Sequence, residues 1–230
     1  MTHLLCTSLT PIDNEIFFAQ AQEKFSKEFV LKYSKYKRWQ DAKSTILGRL
    51  LLAYGLQKFY NINVDDIAIE YSKDKRPFLE NSEVQFNISH SNDFIVCAFT
   101  SHGGIGVDVE KISNVDINDF RLQFSKSEYD NMVGSLHVQE KFFEFWTQKE
   151  AVLKAYGTGL NVALDSIEII DGSSTIGEEV FYLEEIDLTA EYKCHIATQH
   201  LNEFSSTEIT HVSPEKIADF MGSNFFKTIR

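Results

Sequence analysis

The run Gly104-Ile105-Gly106-Val107-Asp108-Val109-Glu110-Lys111 alternates apolar and acidic side chains, and a period of two is the signature of a strand with one face buried. Val107 and Val109 then enter a core, while Asp108 and Glu110 project together from the opposite face. Both carboxylates can reach one cation. Mg²⁺ takes oxygen ligands in near-octahedral geometry and is usually held by a few carboxylates, with substrate phosphates and water completing its shell. A magnesium site serving a phosphate-bearing substrate is one reading of the pair. For an arbitrary Asp-x-Glu, a half-buried strand with its polar face in solvent is the better bet.

A second segment, Glu140 to Tyr156, carries Phe142, Phe143, Phe145, Trp146, Val152, Leu153 and Tyr156 at helical spacings, with Gly157 as a stop. Glu150 and Lys154 share one face of that helix. Such an i,i+4 pair is ordinarily a surface ion pair contributing about 0.3 to 0.5 kcal/mol. Beside the acidic strand it has other uses: Glu150 as a third metal ligand or a base, Lys154 as a neutraliser of charge on a phosphate or a leaving group.

The remaining sequence bounds the answer. With 43% hydrophobic residues, a chain of 230 can bury a sizeable core. Cys6, Cys97 and Cys194 are scattered without ligand spacing, which argues against disulfides and structural zinc and for a reducing, cytoplasmic setting. No secretory leader or membrane-spanning stretch is expected. A net charge of -12 argues against general nucleic-acid binding. Residues 24–43 nevertheless hold seven basic residues (Lys24, Lys27, Lys32, Lys35, Lys37, Arg38, Lys43) against Glu28 and Asp41. This basic island is either a solvated helical face or a device for steering an anionic ligand.

Periodicity predicts helices over 13–30 and 40–60, then strands at 67–71, 84–89 and 94–100. Ser101-His102-Gly103-Gly104 is the candidate linker. Beyond it come a strand at 105–110, helices between 116 and 156, and strands within 166–170, 179–183 and 192–198. Two α/β halves are expected, 1–103 and 104–230, with the active site in the cleft between them.

Three blocks together, Gly106-Val107-Asp108-Val109-Glu110, the run Trp146 to Lys154 (WTQKEAVLK) and Phe86-Asn87-Ile88-Ser89-His90-Ser91, resemble the phosphopantetheinyl transferases, specifically the long single-chain type. The resemblance implies an α/β (α+β) fold with pseudo-twofold duplication of two similar halves. It implies transfer of 4'-phosphopantetheine from coenzyme A to a serine of an apo acyl or peptidyl carrier protein, with release of 3',5'-ADP. Asp108, Glu110 and Glu150 would bind Mg²⁺, and Glu150 would also be the base, directly or through metal-bound water. Lys154 would stabilise the departing 3',5'-ADP. Lys32, Arg76, Pro77, Ser89 and His90 would contact the nucleotide end of coenzyme A, with Lys154 at its phosphates. The N-terminal half would thus hold the nucleotide and the C-terminal half the metal and catalytic motifs. Many relatives carry Arg where this chain has Ser44, and Lys43 and Arg49 are the candidates to substitute for it. The segment Lys111 to Asn131 offers Ile112, Val115, Ile117, Phe120 and Phe124 either as a carrier landing zone or as packing of the second half. A monomer serving fatty-acid or secondary-metabolite synthesis is expected.

Two other classes remain. A non-catalytic coenzyme A or nucleotide-binding regulatory module would have no need of Asp108, Glu110, Glu150 and Lys154. An ATP-dependent phosphotransferase would need a phosphate-cradling glycine loop, and the sequence contains none.

Overall fold

The computed structural model describes residues 1–9, 15–23, 25–63, 67–159, 162–201 and 207–223. In chain order the elements are β1 (His3–Ser8), α1 (Glu15–Gln22), α2 (Lys27–Tyr33), α3 (Trp39–Tyr60), β2 (Ile69–Tyr71), β3 (Pro77–Leu79), β4 (Gln85–Ser91) and β5 (Phe94–Thr100). Then follow β6 (Ile105–Lys111), a 3-10 segment (Ile117–Gln123), α4 (Lys126–Val133), α5 (Val138–Tyr156), a 3-10 turn (Leu164–Ser166), β7 (Ser173–Ile176), β8 (Glu179–Glu185), β9 (Tyr192–Thr198), β10 (Glu208–His211) and α6 (Pro214–Ser223).

Two four-stranded sheets carry the architecture, ordered β10-β1-β5-β4 and β6-β9-β8-β7, with β2 and β3 as a separate ribbon. In each half the first strand pairs antiparallel with the last, β1 with β5 and β6 with β9, and the preceding strand, β4 or β8, lies next outward. A long helix, α3 or α5, occupies the same place in both. The duplication is therefore one of topology. The C-terminal segment crosses to the first half: β10 pairs in parallel with β1, and Ile217, Phe220 and Met221 of α6 join the core beneath α3.

Alternation along the strands builds the layers. Leu5, Phe86, Cys97 and Phe99 face α3 with Leu47, Leu50 and Leu51, whereas Leu4, Cys6, Val96 and Ala98 point the other way, onto Val107, Val109, Cys194 and Ile196 of the second sheet. The Leu, Val, Ile and Phe side chains among them contribute about 1.5 to 3 kcal/mol each on full burial. The outer face of the second sheet is covered by α5, whose Ala151, Val152 and Ala155 meet Phe181 and Ala197.

Several sequence expectations change. The helix expected over 13–30 is two helices, and Ser26, whose hydroxyl accepts from Phe29 N, starts the second. The strand expected within 166–170 does not form. Its Ile167 carbonyl accepts instead from the buried Lys149 ammonium, as does that of Leu164, so these groups serve a side chain and not a ladder. The strands β1, β3, β7 and β10 were not expected, nor was the helix α6, although its Ile217, Phe220 and Met221 do recur at helical spacing behind a Ser213-Pro214 start. Phe124 is buried, and Ile112, Val115, Ile117 and Phe120 pack against the cluster of Phe124, Met132, Phe142 and Phe143.

Candidate active site

The site is assembled where β4, β6 and α5 meet. In β6, Val107 and Val109 are fully buried between the sheets while Asp108 and Glu110 take the alternate face, toward α5. The helix can lie this close because residue 106 is glycine. A Cβ there would stand 2.1 Å from the Ala151 carbonyl oxygen and 2.4 Å from Ala155 N, distances at which no side chain fits. That approach brings Glu150 and Lys154 over the two acids.

The resulting cavity, about 380 Å³, is lined by Ile88, Ser89, His90, Asp108, Glu110, Trp146, Glu150 and Lys154. Lys154 Nζ donates to Asp108 Oδ1 at 2.6 Å, to Ser89 Oγ at 3.0 Å and to the Val107 carbonyl at 3.2 Å. Ser89 Oγ in turn donates to Asp108 Oδ1 at 2.9 Å, and Ser91 Oγ donates to Glu110 Oε2 at 2.6 Å. Lys154 thus pairs across the interface and not with Glu150 one turn before it.

Three acids around one cavity repel one another, and burial adds to the cost of their charge. Burial pushes Glu110 up to about 7, with the Ser91 hydrogen bond opposing and the Asp108 and Glu150 charges reinforcing the rise. Burial, and then the Asp108 charge, also raise Glu150, against the pull of Lys154. His90 is lowered, chiefly by burial.

Among the described residues, no three Asp, Glu, His or Cys side chains stand close enough together to hold a metal ion as placed. The donor chemistry nevertheless fits a hard divalent cation. Asp108 is 3% exposed and its Oδ2 is buried without a hydrogen-bond partner, an unsatisfied anionic oxygen in a cavity with two further carboxylates.

The other expected residues are distributed unevenly. Ser89 and His90 line the acidic cavity. Arg76 lines a second one, about 450 Å³, between the halves, and donates to the carbonyls of Ala155 (3.0 Å) and Ile105 (3.5 Å), where it packs against Gly157 at the end of α5. Pro77 opens β3 beside it. Lys32 is on α2, and its side chain lies outside the described residues. Lys43 is over the rings of Trp39 and Phe18, while Arg49 donates to the Tyr71 hydroxyl at 2.6 Å and keeps Nη1 buried without a partner.

Several contributors escaped the sequence reading. Lys149, fully buried, pairs with Glu128 at 2.8 Å and binds the carbonyls of Leu164 and Ile167, fixing α5 to α4 and to the 164–167 turn. Glu128 also closes a capping box with Ser125, and the spacing Ser-x-x-Glu was a legible signal for it. Trp146 lines the cavity and is steadied by Phe120 and Phe142. His195, opposite Asp108 on β9, shares a 2.7 Å hydrogen bond with Thr147 and is lowered by burial to about 4, so it is neutral at physiological pH.

With this geometry in hand, the likeness to known proteins is specific. A family model described as the 4'-phosphopantetheinyl transferase superfamily matches residues 104–209, and one described as 4'-phosphopantetheinyl transferase, N-terminal, matches residues 10–102. The 4'-phosphopantetheinyl transferase gsp of Aneurinibacillus migulanus is 29% identical over 229 residues, spanning 93% of this chain and 94% of that protein. The 4'-phosphopantetheinyl transferase Sfp of Bacillus subtilis (strain 168) is 30% identical over 198 residues, spanning 81% and 86%. The L-aminoadipate-semialdehyde dehydrogenase-phosphopantetheinyl transferase of Xenopus laevis is 31% identical over 218 residues, spanning 81% and 70%.

Proposed function

The chain belongs to the 4'-phosphopantetheinyl transferase superfamily, and we propose that the cleft between β4, β6 and α5 is where it moves the 4'-phosphopantetheine group of coenzyme A to a serine of an apo acyl or peptidyl carrier protein. The observation that carries this reading is the Lys154–Asp108 ion pair in a cavity that also contains Glu110 and Glu150. One ammonium among three carboxylates suits a polyphosphate that arrives with a divalent cation.

In the reaction, the serine oxygen forms a bond to the phosphorus that bears pantetheine, the bond from that phosphorus to the bridging oxygen breaks, and 3',5'-ADP leaves. Glu150, raised by burial and by Asp108, takes the serine proton. Lys154 follows the charge that develops on the leaving phosphate, exchanging part of its hold on Asp108 and Ser89 for it. Asp108 through its free Oδ2, Glu110 and Glu150 would hold Mg²⁺, which when bound offsets the charge of the pyrophosphate. His90 and Ser89 in the same cavity, Arg76 at the second one and Pro77 next to it in sequence are assigned to the nucleotide end, with Lys32 from the basic island. Both candidates for the Arg of relatives lie over aromatic rings, Lys43 over Phe18 and Trp39 and Arg49 over Phe29, and Arg49 is favoured only by its buried Nη1 that lacks a hydrogen-bond partner. Residues 1–103 are thus assigned the nucleotide and 104–230 the metal and the chemistry.

Carrier docking is assigned to the segment 111–131 beside Trp146, with Leu122, which is 85% exposed, as its apolar contact. No helix among the described residues is long and apolar enough to cross a membrane, and a monomer working in the cytoplasm completes the reading. A non-catalytic module gains no support, because the acids and Lys154 would then meet at one cavity to no purpose. Incubation with coenzyme A, Mg²⁺ and a panel of apo-carrier proteins, followed by intact mass measurement, tests the proposal. A carrier should gain one phosphopantetheine, and a panel left unchanged would overturn it.

A further inference from the structure

We propose that Ser91 is a positioning residue for Glu110, and that the alternating run Asn87, Ser89, Ser91 is a side-chain ladder that both joins the two halves and aims the acids of β6. This rests on the reading of Glu110 as a metal ligand. The strand β6 is at the edge of its sheet, with β9 on one side only. An edge strand presents a row of unpaired N–H groups. Here three of them are met in turn by side chains of β4: Val107 N donates to Asn87 Oδ1 (3.0 Å), Val109 N to Ser89 Oγ (3.4 Å) and Lys111 N to Ser91 Oγ (3.1 Å). Every second residue of β4 thus does for β6 what the backbone of a neighbouring strand would do, and the alternation keeps Phe86 and Ile88 free to pack beneath α3.

The three rungs are not equivalent. The carboxamide oxygen of Asn87 has no proton to pass on, whereas a hydroxyl that accepts from an N–H still has one to donate. The Ser89 hydroxyl donates a hydrogen bond to Asp108 and the Ser91 hydroxyl donates one to Glu110, each to the acid one residue before the N–H it accepts. Asn87 therefore sets register alone, while the serines set register and carboxylate direction together. Ser89 is also bound to Lys154, so its role merges with the catalytic pair. Ser91 has no such tie, which makes its effect separable. It holds Oε2 of a flexible glutamate at 2.6 Å, which leaves the other oxygen of Glu110 to serve the cavity.

The test is Mn²⁺ binding, by electron paramagnetic resonance on the pure protein, for wild type, Ser91→Ala, Ser91→Thr and Asn87→Ala, with the thermal midpoint of each. Loss of a hydrogen bond to a charged group predicts about tenfold weaker Mn²⁺ binding for Ser91→Ala. Ser91→Thr, which keeps the hydroxyl, should bind close to wild type. Asn87→Ala should lower the midpoint at least as much as Ser91→Ala yet leave Mn²⁺ affinity unchanged. Unaltered Mn²⁺ binding by Ser91→Ala, or equal weakening by Asn87→Ala, overturns the inference and leaves the metal reading standing. A wild-type protein that binds no Mn²⁺ overturns the metal reading itself, and this inference with it.

Discussion

Lys154 Nζ lies 2.6 Å from Asp108 Oδ1, an ion pair that bridges α5 and β6. The carboxylate is almost completely buried and the lysine side chain 28% exposed, so the pair is shielded but not sealed. Removing the acid leaves an ammonium with Ser89 and one carbonyl for company. Asp108→Ala is expected to cost about 1 to 3 kcal/mol of stability, below the cost of breaking a fully buried pair. The folded variant should lose transfer by about a hundredfold or more at saturating coenzyme A. Denaturant unfolding beside a turnover assay checks both, and near-normal turnover would remove Asp108 from the mechanism.

Gly106 permits the contact between helix and strand on which the cleft depends. A methyl at residue 106 would meet backbone atoms of α5 that cannot swing aside. Gly106→Ala should therefore cost about 3 kcal/mol or more, read from the denaturant midpoint. A loss below about 1 kcal/mol would show that α5 can step back without penalty.

The acidic cavity should make stability depend on pH in a particular direction. Folded Glu110 keeps its proton up to about 7, whereas its ordinary value is 4.5. Between those values the native state binds more protons than the unfolded chain, so this group's contribution is fully present below 4.5 and is lost as pH rises through about 7. A divalent cation must displace that proton, so its stabilising effect grows over the same window. Thermal unfolding with and without Mg²⁺ should show a larger shift at high pH than at low pH, and equal shifts on either side of the window would contradict a role for Glu110 in holding the ion.

Lys149, adjacent to Glu150 in sequence, has a structural task. Its ammonium is inaccessible and joins Glu128 to two carbonyls. Lys149→Met strands Glu128, and removal of one partner from a buried pair costs about 3 to 5 kcal/mol. Glu128→Gln combined with Lys149→Met should recover part of that loss. Additive losses in chemical denaturation would show that the two do not act as a pair.

Sequence made the acid strand and the catalytic helix readable because their apolar residues repeat at the periods their geometry requires, two for Val107 and Val109 and about 3.6 for α5. Which side chains those acids would meet was not readable. Lys154 and Glu150 share a helix face, but the partner of Lys154 comes from a strand 46 residues away, and no local pattern encodes that distance. Asp108 was expected on an open face and is buried, because β4 and α5 close over it. The serines of β4 were legible as part of a motif, whereas their service to the edge of β6 depends on how the halves dock. The pairing of Lys149 with Glu128 was invisible for a different reason: a lysine and a glutamate on separate helices look like surface charge until a core forms around them.

The roles of Glu150 and Lys154 are decided by single-turnover transfer to an apo-carrier, with thermal unfolding measured on the same samples. Glu150→Gln keeps shape but loses the base and a metal-ligand charge. Lys154→Ala removes the cation that follows the leaving phosphate. Each should slow transfer by about a hundredfold or more in a protein that still unfolds cooperatively. Rates equal to wild type in folded variants would remove Glu150 and Lys154 from the chemistry.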